Sequence, residues 1–191
     1  MILYYTNHFK SGLKVIFENF PYCIESVQFV KPGKGQSFSR VKLRNLLNKQ
    51  LIEKTFRSTD CLKHADIIDI NLLYLYHDSK FLYFMNEQTF DQILVEKFII
   101  QDKMKWLIEQ HNYLVTLWND KPIGIIINNF VELKVINVTP EVSSDVISNV
   151  KNTKFCQVTT GAILKVPLFI QEGDIIKVDI RTEKYHSRIN R

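Results

Sequence analysis

Glycine is scarce in this chain of 191 residues: there are six, beside five prolines, three cysteines and two tryptophans. Cys23, Cys61 and Cys156 lie far apart, and no Cys-x-x-Cys pair occurs. That argues against a disulfide framework and against a cysteine-based zinc site. The five histidines, His8, His64, His77, His111 and His186, lack metal-ligand spacing, so no metal or other cofactor is expected. Gly-x-Ser-x-Gly and Gly-x-x-x-x-Gly-Lys-Ser/Thr are both absent, which removes two common routes to nucleophilic and nucleotide-hydrolysing chemistry. Apolar runs such as Ile125-Ile126-Ile127 are a few residues long, far below the roughly 18 that a membrane helix needs. Met1 to Tyr5 shows no basic segment followed by an apolar core, so no signal peptide is expected. A reducing cytoplasm fits these absences.

Charge is present, and it is unevenly placed. The net charge is +5, with a pI near 9.0. Residues 1–65 hold 11 Lys/Arg and 4 Asp/Glu, residues 66–129 hold 5 and 9, and residues 130–191 hold 9 and 7. The three segments thus carry +7, −4 and +2, which sum to the total. Such asymmetry suggests modules that face different surroundings. A basic first third points to a polyanion such as RNA; a merely solvated basic surface is the plain alternative.

Short strand-like runs dominate. Val41 and Leu43 alternate with Arg40, Lys42 and Arg44, a period of two with one basic face. Asp69–Tyr76 and Phe81–Met85 predict a hairpin around the polar loop His77-Asp78-Ser79-Lys80. Tyr113–Trp118 and Ile123–Ile127 predict another around Asn119-Asp120-Lys121-Pro122. Val131–Ile136, Val158–Val166 and Ile175–Val178 supply further strands. Helical candidates are short and lie near Asp60–Asp66 and Asp102–Gln110. The polar stretch Val142–Thr153 reads as a loop. The pattern predicts an all-β chain of small barrels or sandwiches. Tyr74, Tyr76, Phe81, Tyr83 and Phe84 could form stacking platforms, but barrel core is the favoured reading.

Two of the six glycines flank one lysine, in Lys31-Pro32-Gly33-Lys34-Gly35-Gln36. Strand-like sequence lies on both sides, so the segment reads as a hairpin tip. Glycine there permits positive φ and removes bulk beside Lys34. Lys34 then projects on a thin cationic finger; an ordinary solvated turn is the bland alternative. Arg40, Lys42 and Arg44 follow at about 7 Å intervals along one face, a spacing suited to phosphates, and Lys54 and Arg57 extend the patch. Such groups position RNA without reading its sequence. A charged edge strand guarded against aggregation is the competing reading.

Several segments resemble bacterial translation elongation factor P. They include Tyr4-Tyr5, Gly12-Leu13-Lys14, Phe29–Gln36, Arg40–Leu46 and Glu53–Phe56. Tyr74–Tyr76, Phe84–Asn86, Lys105–Leu107, Asn129–Leu133, Gly161-Ala162, Val166–Ile170, Gly173-Asp174 and Lys177–Asp179 continue the series in order. The resemblance implies three small β-barrels in an elongated, L-shaped, tRNA-like arrangement. They are an SH3/KOW-like barrel over 1–65, a central OB-fold barrel over 66–129 and a C-terminal OB-fold barrel over 130–191. It implies a non-enzymatic, monomeric, cytoplasmic factor without membrane attachment. Its partners are the 70S ribosome, between the P and E sites, and P-site peptidyl-tRNA, and its action is to relieve stalling at consecutive prolines. By the same resemblance Lys34 is a modification site, extended with a β-lysyl group by an enzyme resembling lysyl-tRNA synthetase. Pro32, Gly33 and Gly35 support it. Lys31, Arg40, Lys42, Arg44, Lys54, Tyr185 and Arg188 contact tRNA or rRNA. The acidity of the middle segment suits a tRNA mimic. A generic OB-fold binder of RNA or single-stranded nucleic acid is the alternative.

The chain departs from the family pattern in places. Ser144-Asp145-Val146 stands where Gly-Asp-Thr is common, Glu183-Lys184-Tyr185 where Gly-Glu-Tyr is common, and Cys156 where alanine is usual.

Overall fold

The computed structural model describes residues 2–33, 35–139 and 153–189. Lys34 and the loop with Ser144-Asp145-Val146 lie outside the described residues. Three antiparallel sheets follow one another along the chain, and only short 3-10 turns interrupt the strands among the described residues. The fold is therefore all-β, in three β-sheet domains.

The first sheet holds β1 (Leu3–Tyr5), β2 (Lys14–Phe17), β3 (Phe20–Val30), β4 (Phe38–Asn45), β5 (Leu51–Arg57) and β6 (Cys61–His64), in the order β1-β6-β2-β3-β4-β5. Val15, Ile24, Val41 and Leu43 are fully buried between its layers. Here the sequence misled. Cys61–His64 is a strand, where a short helix was expected at Asp60–Asp66. Leu62 points into the core while Cys61 and Lys63 point out, and Asp60 accepts from the Arg57 amide at 2.8 Å to close the preceding turn. Asp60 acts as a turn former rather than as a helix cap.

The second sheet holds β7 (Ile67–His77), β8 (Phe81–Met85), β9 (Gln92–Glu96), β10 (Asn112–Trp118) and β11 (Lys121–Ile126), in the order β11-β10-β7-β8-β9. Both expected hairpins exist, with tighter turns than the sequence suggested. His77 belongs to β7. Asn119 and Asp120 adopt φ of 48° and 62°, the two-residue turn that matches strand twist, so Lys121 and Pro122 open β11. Pro122 is tolerated because, among the described residues, β11 is an edge strand paired with β10 on one side. The helix expected at Asp102–Gln110 is a 3-10 segment, Gln101–Trp106.

The third sheet holds β12 (Phe130–Thr139), β13 (Thr153–Val158), β14 (Ile163–Pro167), β15 (Ile175–Asp179) and β16 (Lys184–Ile189), in the order β14-β13-β12-β15-β16. The run Val158–Val166 thus spans two strands, reversed at Gly161 with φ 82°. Trp106 from the 3-10 segment is buried within this third core, beside Val131, Leu133 and Ile176. Lys105 Nζ reaches Glu183 Oε2 at 2.8 Å. The first two sheets are linked by Lys14 Nζ to Asp69 Oδ2 at 3.3 Å; the other oxygen of Asp69 accepts from Thr116 Oγ1 at 2.6 Å.

Candidate nucleic-acid interface

The β3–β4 ladder ends at the pair Val30–Phe38. The described residues between them, 31–33 and 35–37, flank the Lys34 position of the candidate finger. Lys31, Pro32, Gly33 and Gly35 are all exposed. Gly35 has φ 107°, a backbone that side chains other than glycine rarely adopt; Gly33 does not share it. A Cβ on Gly33 would meet nothing within 4 Å. Lys31 Nζ lies 5.6 Å from the ring centroid of Phe29, an exposed aromatic at the foot of the finger. Beneath it Tyr5, Thr6, Asn7, Phe29, Ser37, Ser39 and Ser58 line a cleft of about 410 Å³. No local pattern marks this cleft, because its walls come from four separate stretches of chain.

The basic strand face is real, but it is partly neutralised. Along β4, Ser39, Val41, Leu43 and Asn45 are buried, while Arg40 and Lys42 are exposed and Arg44 is half-buried. Arg40 Nε lies 3.3 Å from Glu53 Oε1. Arg44 Nε is hydrogen-bonded to the Glu25 carboxylate, and its Nη1 donates to the Lys49 carbonyl at 3.0 Å. The Arg44 hydrogen bond holds the Glu25 carboxyl below its usual range and raises Arg44. A bulge makes the Glu25 contact possible. Ile24 faces Leu43 and Ser26 faces Lys42, leaving Glu25 as the extra residue. On β5, Lys54 Nζ lies 3.9 Å from Glu18 and 5.5 Å from the Phe17 ring centroid.

Three of the four acids in residues 1–65 therefore stand against the candidate cations. Lys31, Lys42 and Arg57 make no ion pair within 4 Å among the described residues. The exposed pairs are weak and screened by salt, so a phosphate can replace the carboxylate partner.

The two third-sheet candidates differ in burial, although a bulge puts them on one face of the sheet, Tyr185 opposite Val178 and Arg188 opposite Ile176. On β16, Tyr185 is half-buried and packs on the core, whereas Arg188 is exposed. Arg188 lies 3.8 Å from Asp174 and 5.6 Å over the ring of Phe169.

A finger between two strands of a six-stranded sheet, followed by two further antiparallel sheets, matches known proteins along the whole chain. Residues 5–62 match the elongation factor P KOW-like domain model, residues 67–125 its OB domain and residues 131–188 the elongation factor P C-terminal model. The chain belongs to the elongation factor P family. It is 58% identical over 189 residues to elongation factor P of Buchnera aphidicola subsp. Acyrthosiphon pisum, covering 99% of this chain and 100% of that protein. This family membership gives the chain the role of a translation elongation factor. Two solved structures share the fold at low identity. Eukaryotic translation initiation factor 5A from Methanococcus jannaschii aligns with TM-score 0.54 and 17% identity, over 65% of this chain and 94% of that one. A translation initiation factor eIF-5A family protein from Naegleria fowleri gives 0.55 and 13%, over 66% and 98%.

Proposed function

We propose that this elongation factor P family member works in the cytoplasm as a monomer. In this reading it binds the 70S ribosome between the P and E sites, beside peptidyl-tRNA, and speeds peptide-bond formation at consecutive prolines. Its three modules are taken as residues 1–65, 66–129 and 130–191. Lys34 is the residue that enters the peptidyl-transferase centre, carrying a β-lysyl group added by an enzyme resembling lysyl-tRNA synthetase. The observation that carries this reading is the exposure of Lys31, Pro32, Gly33 and Gly35 beyond the last β3–β4 pair. These four residues face solvent rather than packing into their own barrel.

Proline is a poor nucleophile and constrains the nascent chain, so the reacting groups are badly placed. A factor that steadies the tRNA terminus lowers the entropic part of the barrier without making or breaking a bond itself. A long cation at Lys34 reaches sugar and phosphate oxygens, and lengthening it adds donors at the cost of ordering more rotors. A gain of about 2.7 kcal/mol speeds a step roughly 100-fold. Lys31, Arg40, Lys42, Arg44 and Lys54 grip tRNA or rRNA phosphates, and Tyr185 and Arg188 make a second RNA contact from the third module. No bond chemistry is assigned to the protein.

The test is Lys34→Ala. Pausing at a Pro-Pro-Pro run, read by toeprinting, should persist with the variant and disappear with the unaltered protein. Equal relief by both would refute the reading and leave the generic RNA binder. Intact mass of the protein from its native host, mapped to Lys34, reads the modification directly.

A further inference from the structure

The second sheet carries an outward row of side chains that neither the fold nor the finger uses. Tyr76 on β7 faces Tyr83 on β8, and Tyr83 faces Leu94 on β9. Tyr76 and Leu94 are exposed, at 49% and 43%. The two tyrosine rings stack with centroids 4.6 Å apart and planes 19° apart. Core residues on the same strands point the other way: Leu82, Phe84 and Val95 are fully buried.

A bulge creates this row. Leu73 pairs with Met85 and Tyr74 with Phe84, but the next pair is Tyr76–Tyr83, so Leu75 is extra. In a regular strand, residues 74 and 76 share a face. The added residue sends Tyr74 inward, at 2% exposure, and Tyr76 outward. The Tyr83 ring is then held in place. Tyr83 Oη donates to Asp78 Oδ2 at 2.9 Å, and Asp78 Oδ1 accepts from the amides of Lys80 and Phe81 at 2.7 and 2.6 Å. The carboxylate that touches the platform is thus committed to two amides of its own turn and to Tyr83. The Lys97 amide donates to the Lys80 carbonyl at 3.1 Å, which brings two lysines to the same end of the row. Glu96, opposite Phe81, is an exposed acid on that side.

We infer that the Tyr76–Tyr83 stack is a binding platform for an unpaired nucleobase of single-stranded RNA, with Lys80 and Lys97 placed for its phosphates. A flat ring already in a stack, exposed on one side, accepts any base by extending that stack. The first three strands of this OB barrel present it, the surface on which OB folds bind single strands. Leu94 continues the apolar surface. The −4 charge of residues 66–129 opposes loose polyanion binding, so the contact is weak alone. It gains strength when the basic first module tethers the RNA nearby and raises its effective concentration. The assignment does not depend on the role of Lys34.

The full-length protein can be irradiated with a single-stranded oligouridine RNA containing 4-thiouridine, at low salt, and the crosslinks mapped by mass spectrometry. Adducts are expected on the peptide that contains Tyr76 or Tyr83. Tyr76→Leu with Tyr83→Leu keeps apolar area and removes the rings. It should cut the yield there at least about fivefold, with crosslinks in residues 1–65 and the melting temperature unchanged. Should that variant melt early, Lys80→Glu with Lys97→Glu supplies the second reading, and the same local loss is expected. Adducts confined to residues 1–65, or leucine variants that crosslink as well as the parent, would overturn the inference. So would a photoreactive phenylalanine at position 76 that, on the ribosome, captures only protein.

Discussion

Glu53 lies directly opposite Lys42 on the β4–β5 ladder, yet its carboxylate bonds diagonally to Arg40, at 3.3 Å. Diagonal partners on a sheet are within reach of long side chains. One acid therefore faces two of the cations proposed to hold RNA, and it moderates the grip of that strand.

Replacing Glu53 with Gln should free Arg40 and strengthen RNA binding. The logarithm of affinity against the logarithm of salt should steepen by about one phosphate contact's worth. Ribosome or RNA binding measured across a salt series checks this. An unchanged slope would mean that Arg40 already exchanges Glu53 for phosphate at no cost.

Trp106 is 1% exposed and belongs to the third core, although the 3-10 segment that carries it follows the second sheet. Trp106→Ala should cost about 3–5 kcal/mol by opening a cavity. Hydrogen exchange should rise around β12 and β15 and leave β3 and β4 unaffected. Its Nε1–H finds no acceptor among the described residues, so Trp106→Phe should be far milder in a denaturant titration.

The finger glycines should behave differently from each other. Gly35 at φ 107° resists a side chain, and Gly35→Ala should cost about 1–2 kcal/mol of local strain. Gly33 has open space around it, so Gly33→Ala should leave thermal stability unchanged. Melting curves and amide exchange in residues 31–37 separate the two.

The Arg181 guanidinium and the Arg181 amide hold the Asp179 carboxyl at about 2, from an ordinary 3.8. A depressed carboxyl stabilises the fold above its unfolded value and loses that contribution as pH falls through the folded one. Acid melting should therefore show a component between about pH 4 and pH 2 that Asp179→Asn removes. A carboxyl titration of Asp179 by NMR with a midpoint near 4 would contradict it.

Much of the molecule was legible in the chain. The turn chemistry of Lys31–Gln36 marked the finger, and the alternation from Arg40 to Arg44 marked the basic face, because both are properties of adjacent residues. The helix expected at Asp60–Asp66 failed because Asp60 suits a turn as well as a cap, and only pairing with β1 and β2 made Cys61–His64 a strand.

By itself, then, the sequence determined which stretches extend, where they turn and which strand face is basic, since period-two alternation and turn propensity act over a few residues. Tertiary structure alone decided which acid meets which base, that Leu75 bulges and turns Tyr76 outward, and that Trp106 lodges in the third core. Those outcomes depend on register and on contacts between segments remote in the chain, and no local pattern encodes them.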